Sequence, residues 1–142
     1  EARRHLVATD AVFSMDGDSA LLKPLSQLCN EQQAWLMIDD AHGFGVLGPN
    51  GGGSALAQDL TTAECPIYMA TLGKALGSYG AFVAGSDALV ESLIQFSRNY
   101  IYTTALPPAI AAASLAAVQL LKDEAWRRAR ATAAGPSTST PT

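Results

Sequence analysis

Five side chains capable of joint chemistry follow three apolar runs in this sequence. The first run is followed by Ser14, the second by Asp39 and His42, and the third by Thr71 and Lys74. These groups suit a pyridoxal phosphate site, because a lysine can bond the cofactor's aldehyde and an acid can keep its ring nitrogen protonated. Each residue alone has an ordinary explanation as a turn former, a loop acid, a core histidine or a solvated lysine. Only their convergence would make a site.

The elements that must position these residues alternate along the chain. Short apolar runs bounded by polar residues or glycine predict strands, and apolar residues at helical spacing predict helices between them. Alternation of this kind is typical of an α/β layered sheet, in which ligands lie at the carboxyl ends of the strands. We predict strands over 6–13, 34–38, 65–70 and 79–85, helices over 21–33, 87–99 and 108–130, and a short helical turn within 55–62.

Two glycine motifs in the sequence resemble nucleotide-binding loops. Residues 43–48 match GxGxxG, but a proline and further glycines follow where the dinucleotide fingerprint requires a helix. Gly73 and Lys74 resemble the end of a P-loop, but Tyr68 stands where its first glycine belongs and Ala75 where a hydroxyl must bind magnesium. The sequence therefore argues against both NAD binding and a Walker-type site.

Composition limits the possible classes of protein. The 142 residues are 49% hydrophobic and 15% charged, which is enough apolar material for a packed core. The net charge of −4 offers no basic surface for nucleic acid or an anionic membrane. Cys29 and Cys65 have no metal-ligand spacing, so we expect no metal site and two reduced thiols. Without a signal peptide or an apolar run of membrane length, we expect a cytoplasmic location.

Four blocks of the sequence resemble, in order, those of the α-oxoamine synthases. The blocks are TDAVFSMDGD at 9–18, IDDAHG at 38–43, TLGK at 71–74 and YTTALPP at 102–108. The resemblance implies pyridoxal 5'-phosphate as cofactor and the aspartate aminotransferase fold (fold type I), a mostly parallel sheet flanked by helices. Residues 1–131 would form part of its large domain. Residues 132–142, which are only Ala, Gly, Pro, Ser and Thr, would be a disordered tail.

The resemblance also assigns roles to the residues at the strand ends. Lys74 would bind the cofactor covalently, Asp39 would pair with the pyridine nitrogen, and His42 would donate to the phenolic oxygen. Ser14 would contact the ring and Thr71 the phosphate. The neighbouring Asp40 would point to the opposite face of the strand, so it receives no role.

The block at 102–108 carries an implication about assembly. In the family, residues matching Thr103 and Thr104 reach the cofactor phosphate of the neighbouring subunit. The resemblance therefore implies a homodimer.

The second block extends into DDAHGFGVLGPNG, which most resembles one branch of the family. Members of that branch join L-alanine to a pimeloyl thioester, carried by CoA or a carrier protein, with decarboxylation during biotin biosynthesis. Two alternatives stay open: another α-oxoamine synthase, using glycine or serine with a different acyl-CoA, and a non-catalytic chain. A chain that starts without Met and lacks the family's upstream phosphate cradle and downstream substrate arginine is interpreted as a fragment, inactive alone.

Overall fold

A four-stranded sheet forms the centre of the protein in a computed structural model that describes residues 5–133. Its strands lie in chain order: β1 (His5–Asp10), β2 (Ala34–Asp39), β3 (Ile67–Thr71) and β4 (Ala81–Gly85). The first three are parallel, and β4 is antiparallel to β3. The predicted mostly parallel sheet with flanking helices is therefore confirmed, and the carboxyl ends of β1, β2 and β3 lie at one edge.

Helices connect and follow the strands. The single helix predicted over 108–130 is wrong, because Glu124 leaves helical geometry at φ −114° and ψ 66°. The Glu124 carboxylate accepts from Arg127 Nε at 2.5 Å, and Arg128 donates to the Leu121 carbonyl that the break leaves free. The helices are α1 (Leu22–Glu31), α2 (Ser54–Ala57), α3 (Asp87–Phe96), α4 (Arg98–Ile101), α5 (Pro108–Asp123) and α6 (Ala125–Ala133), with a 3-10 turn at Pro49–Gly51.

The predicted tail and domain boundary are only partly within the described residues. Thr132 and Ala133 belong to α6, so the prediction of disorder is wrong for these two residues, and the Thr132 hydroxyl donates to the Arg128 carbonyl at 3.1 Å. Residues 134–142 lie outside the described part of the chain, as do residues 1–4. The boundary between 131 and 132 stays a prediction.

The core lies on one face of β1 and β2. Leu36 and Ile38 are buried there beneath α1, which contributes Leu22 and Cys29 at helical spacing. On the opposite face Trp35 is 47% exposed and Leu6 is 55% exposed. Parallel sheets usually have both faces covered. The structure therefore covers one face of this pair of strands and leaves the other largely open.

The second half of the described chain is arranged more loosely. No residue of α3, α4, α5 or α6 is buried. Large apolar side chains such as Phe96, Tyr102 and Leu115 are 80%, 80% and 74% exposed. Within residues 5–133, no helix is both long and apolar enough to cross a membrane.

An ion pair between α1 and the segment before β3 gives a testable pH dependence. Lys23 Nζ lies 2.7 Å from Glu64 Oε1, while Glu64 Oε2 accepts two 2.9 Å hydrogen bonds from Thr61. The Lys23 interaction, followed by those of Thr61, lowers the pKa of Glu64 from 4.5 to about 2. Because the folded-state pKa is depressed, this stabilisation is present above pH 4.5 and is lost as the pH falls through 2.

Glu64→Gln is therefore expected to lower the free energy of unfolding at pH 7 but not near pH 2. Urea unfolding of both proteins across this pH range measures the difference. Glu31→Gln, at the exposed end of α1, is the matched control and should show no such convergence. A Glu64→Gln deficit that stays constant from pH 7 to pH 2 would contradict the assignment.

Candidate active site

The carboxyl ends of the three parallel strands bring the predicted site residues to one edge of the sheet. Asp39 closes β2, in register with Asp10 of β1 and Met69 of β3. His42 follows in the turn after β2, and Lys74 lies in the loop 72–80 that joins β3 to β4. His42 and Lys74 are 32 residues apart in the chain, yet their Nε2 and Nζ atoms are 2.6 Å apart. The sheet therefore unites two of the sequence blocks in one contact.

The direction of the contact between His42 and Lys74 depends on the form of each group. A lysine ammonium has three donors and no acceptor, so in that form Lys74 donates to Nε2 and the ring proton of His42 lies on Nδ1. Both residues are exposed, so the pair is open to a ligand. An amine beside a nitrogen base can pass a proton to it, which is the requirement for a nucleophilic lysine.

Asp39 occupies the open face of the sheet. It lines a cleft of about 460 Å³ whose other walls include Asp10, Phe13 and Met37. Its Oδ1 accepts from the Ala41 backbone N–H at 3.0 Å, which fixes the carboxylate at the strand end. The carboxylate is therefore available to pair with a cationic nitrogen in the cleft.

The other predicted site residues have different surroundings. Ser14 is exposed in the turn that follows Phe13, and Phe13 lines the same cleft as Asp39. The Thr71 hydroxyl donates to the Gly80 carbonyl at 3.0 Å and accepts from the Gly73 N–H at 3.2 Å. It therefore closes its own loop, and a phosphate contact by this hydroxyl stays a prediction.

Thr103 and Thr104 are exposed in the segment between α4 and α5. Within residues 5–133, no hydrogen bond joins either threonine to His42 or Lys74. Thr103 instead lines a surface cleft with Arg98, Asn99 and Tyr102. Their role across a subunit interface is not tested by a single chain and stays a prediction.

The glycine motif at 43–48 adopts a compact loop. Gly45 N–H donates to Gly51 at 2.9 Å, and the loop then enters the 3-10 turn Pro49–Gly51. Only this three-residue turn follows Gly48, and the next α-helix begins at Ser54, so the loop does not open directly into an α-helix whose N-terminus could hold a pyrophosphate. The geometry agrees with the argument against dinucleotide binding.

Sequence reasoning missed a buried polar cluster behind the site. Asp40 is 0% exposed and accepts hydrogen bonds from both the backbone and the hydroxyl of Ser54, and from the Tyr68 hydroxyl. Burial, together with Asp40, raises the pKa of Tyr68, which keeps this phenol a donor. The one available signal was strand alternation, which correctly predicted that Asp39 and Asp40 face opposite sides.

The two cysteines take no part in these clusters. Cys29 and Cys65 are both free and buried, which agrees with the prediction of reduced thiols. Burial raises the pKa of the Cys65 thiol to about 11, so the unreactive protonated form prevails at neutral pH.

Comparison with known proteins identifies the family. The family model described as "Aminotransferase class I and II" matches residues 1–134. The chain belongs to the class I and II aminotransferases. Over 128 residues it is 59% identical to the 8-amino-7-oxononanoate synthase of Cellvibrio japonicus, covering 90% of this chain and 32% of that relative. The match to the same enzyme of Nitrosococcus oceani is 56% identical and covers 93% and 35%.

Solved structures of this aminotransferase family agree with the sequence comparison. An 8-amino-7-oxononanoate synthase from Francisella tularensis has a TM-score of 0.79 and 41% identity, covering 89% of this chain and 37% of that one. A serine palmitoyltransferase from S. paucimobilis, solved with a pyridoxal phosphate–myriocin adduct, has a TM-score of 0.85 and 31% identity, covering 92% and 32%. The predicted fold type I and the resemblance to α-oxoamine synthases are confirmed. The chain spans about a third of the length of the curated relatives it matches.

Proposed function

We propose that this chain is the lysine-bearing part of a pyridoxal phosphate-dependent C-acyltransferase. The reaction joins L-alanine to a pimeloyl thioester, carried by CoA or a carrier protein, and releases carbon dioxide and the free thiol to give 8-amino-7-oxononanoate. The observation that carries the proposal is the 2.6 Å contact of Lys74 Nζ with His42 Nε2 at the strand edge where Asp39 ends β2. The step would belong to biotin biosynthesis in the cytoplasm.

The donor set fits pyridoxal 5'-phosphate. When bound, the cofactor supplies an electron sink for negative charge at the α-carbon of the amino acid. Lys74 provides the primary amine for the aldehyde, and its hydrogen bond to a nitrogen base helps it give up a proton. The Asp39 carboxylate would hold a proton at the pyridine nitrogen, because charge attraction favours the protonated form.

The remaining residues would orient the cofactor. The imidazole of His42 carries its proton on either ring nitrogen, so it can donate to a phenolic oxygen once it is not accepting from Lys74. Ser14 directly follows Phe13, which lines the cleft, and would contact the ring from there. The Thr71 hydroxyl would donate to the phosphate only after giving up its hydrogen bond to the Gly80 carbonyl. Thr103 and Thr104 would complete the phosphate site of the partner in a homodimer.

A second candidate function is a different α-oxoamine synthase, using glycine or serine with another acyl-CoA. The backbone match to serine palmitoyltransferase, at a TM-score of 0.85, supports this alternative. Higher identity to 8-amino-7-oxononanoate synthases, at 59% and 56% in two relatives, favours the proposal.

Grafting tests the two functions. This chain replaces the matching segment of the Cellvibrio japonicus synthase in one chimera and the matching segment of the S. paucimobilis serine palmitoyltransferase in another. We expect the first chimera to release CoA from pimeloyl-CoA with L-alanine and the second to be inactive with serine and palmitoyl-CoA. Activity of the second chimera alone would overturn the proposal in favour of the alternative, and inactivity of both folded chimeras would favour a non-catalytic chain.

The 142-residue chain by itself is expected to release no CoA from pimeloyl-CoA and alanine. Reaction requires substrate and cofactor in tight geometry, and lost positioning can remove much of the rate. The half-exposed Leu6 and Trp35, on the same face of the sheet as Asp39, support this expectation, because the described residues leave that face largely uncovered. A thiol assay with the purified chain measures this, with its Lys74→Ala variant as the control. Sustained turnover above that control would prove the expectation wrong.

A further inference from the structure

Asp40 is a charged group buried behind the candidate site. Its Oδ2 accepts from the Ser54 backbone N–H at 2.6 Å and from the Tyr68 hydroxyl at 2.6 Å, while Oδ1 accepts from the Ser54 hydroxyl at 2.5 Å. A carboxylate removed from water requires such charge-assisted hydrogen bonds to offset its lost hydration. Burial of the Asp40 carboxylate is therefore offset by the residues that it binds.

Asp40 holds both ends of one loop, the start through its backbone carbonyl and the end through its side-chain carboxylate. We define the glycine-rich loop as residues 41–53, which begins with the turn that carries His42. At its start, the Asp40 carbonyl accepts from the Phe44 N–H at 2.9 Å, and at its end the carboxylate binds Ser54. A Cβ at Gly43 or Gly53 would clash with the Asp40 carboxylate, so the loop closes directly on it.

The glycine-rich loop in turn touches the loop that carries Lys74. Gly45 packs so closely on Ala75 that a side chain at Gly45 would meet the Ala75 methyl group. Phe44 packs edge-to-face on Phe82 of β4, with ring centroids 5.1 Å apart. These contacts fix the glycine-rich loop against the far side of the sheet, next to the lysine.

We propose that Asp40 is a positioning residue that sets the distance between His42 and Lys74 by closing the glycine-rich loop. Asp40 itself touches neither residue of the pair. The effect of Asp40 on the distance between His42 and Lys74 is argued from the contacts of the glycine-rich loop alone. The importance of that distance for catalysis rests on the proposed function. A merely structural role would change stability and leave the reactivity of Lys74 unchanged.

The first test separates the shape of Asp40 from its charge. Asn at this position can accept from the Ser54 N–H and from Tyr68 with its oxygen and donate to the Ser54 hydroxyl with its amide, because that hydroxyl can rotate. Asp40→Asn should therefore preserve the loop and Asp40→Ala should not. The probe is pyridoxal phosphate with borohydride, and mass spectrometry gives the labelling ratio of Lys74 to Lys122 in the 142-residue chain.

We expect Asp40→Asn to keep this ratio within about twofold and Asp40→Ala to lower it about tenfold, a partial loss of the roughly 10²- to 10⁴-fold that a well-positioned base contributes. The chain has two histidines, so His5 serves as an internal reference for the ring resonances of His42. Those of His42 should move in Asp40→Ala and stay in Asp40→Asn. A ratio in Asp40→Asn as low as in Asp40→Ala would overturn positioning by shape.

Two milder variants keep the test decisive if Asp40→Ala does not fold. Ser54→Ala and Tyr68→Phe each remove part of the anchor, and both should lower the labelling ratio several-fold. Ser92→Ala is the matched control, because among residues 5–133 its hydroxyl bonds only the Ala88 carbonyl within α3. In His42→Ala, a further Ser54→Ala change should cause no additional loss, since both act through one contact.

The outcomes separate this inference from the proposed function. If Ser54→Ala and Tyr68→Phe lower the unfolding temperature but leave both the Lys74 ratio and the His42 resonances unchanged, the inference is wrong. If the labelling falls as expected while the Cellvibrio japonicus chimera makes no product, the proposed function fails and the positioning role of Asp40 stands.

Discussion

Lys74→Ala in the Cellvibrio japonicus chimera is expected to abolish CoA release, by at least ~10⁴-fold, together with the visible absorbance of the bound cofactor. The reason is that, under the proposed function, the variant would lose the amine that bonds the aldehyde of the cofactor. The 2.6 Å contact with His42 Nε2 places a nitrogen base next to the Lys74 amine. Turnover and absorbance spectra measure the effect directly.

The sequence supplies internal controls for that experiment. Its other lysines are Lys23, which is paired with Glu64, and Lys122, in the last turn of α5. Lys122→Ala is the matched substitution and should retain turnover and absorbance. Borohydride reduction of the parent chimera followed by peptide mapping should place the pyridoxyl label on Lys74. A stoichiometric label on Lys23 or Lys122 instead would remove Lys74 from the covalent role.

Asp39→Asn should leave the cofactor bound but slow exchange of the alanine α-proton by roughly 10²- to 10³-fold. An amide cannot hold a proton on the pyridine nitrogen by charge, so the ring would accept less electron density from the α-carbon. The position of Asp39 at the end of β2, facing the cleft on the open side of the sheet, is the structural basis for this expectation. Deuterium exchange into alanine, followed by NMR, gives the rate.

Asp10→Asn provides the comparison for Asp39→Asn. Asp10 is in register with Asp39 on the neighbouring strand and lines the same cleft. Asp10→Asn therefore removes the same charge from the same cleft as Asp39→Asn. It should change the exchange rate only a few-fold. A larger loss in Asp10→Asn, or only a few-fold loss in Asp39→Asn, would show that Asp39 is not the partner of the ring nitrogen.

Much of the fold was predictable because it depends on local pattern. The strand predicted over 34–38 lies at Ala34–Asp39, and the helix over 21–33 lies at Leu22–Glu31. The break at Glu124 was not predictable. Neither Gly nor Pro marks it. The break is accompanied by a contact between the Arg127 and Glu124 side chains and by donation from Arg128 to the Leu121 carbonyl. The exposure of the second face of β2 could not be predicted either, because a continuous apolar run predicts a strand that is buried on both faces.

Local sequence was sufficient to predict the residues of the proposed chemistry and their order along the chain. Lys74, His42 and Asp39 were identified from residue type, strand ends and the family blocks, all of which are readable within a few residues of each position. The contact between His42 and Lys74, and the hydrogen bonds that Asp40 accepts from Ser54 and Tyr68, became evident from the folded chain alone. These contacts join residues 14 to 32 positions apart, and distances of that kind are set by how strands and loops pack, which local preference does not encode.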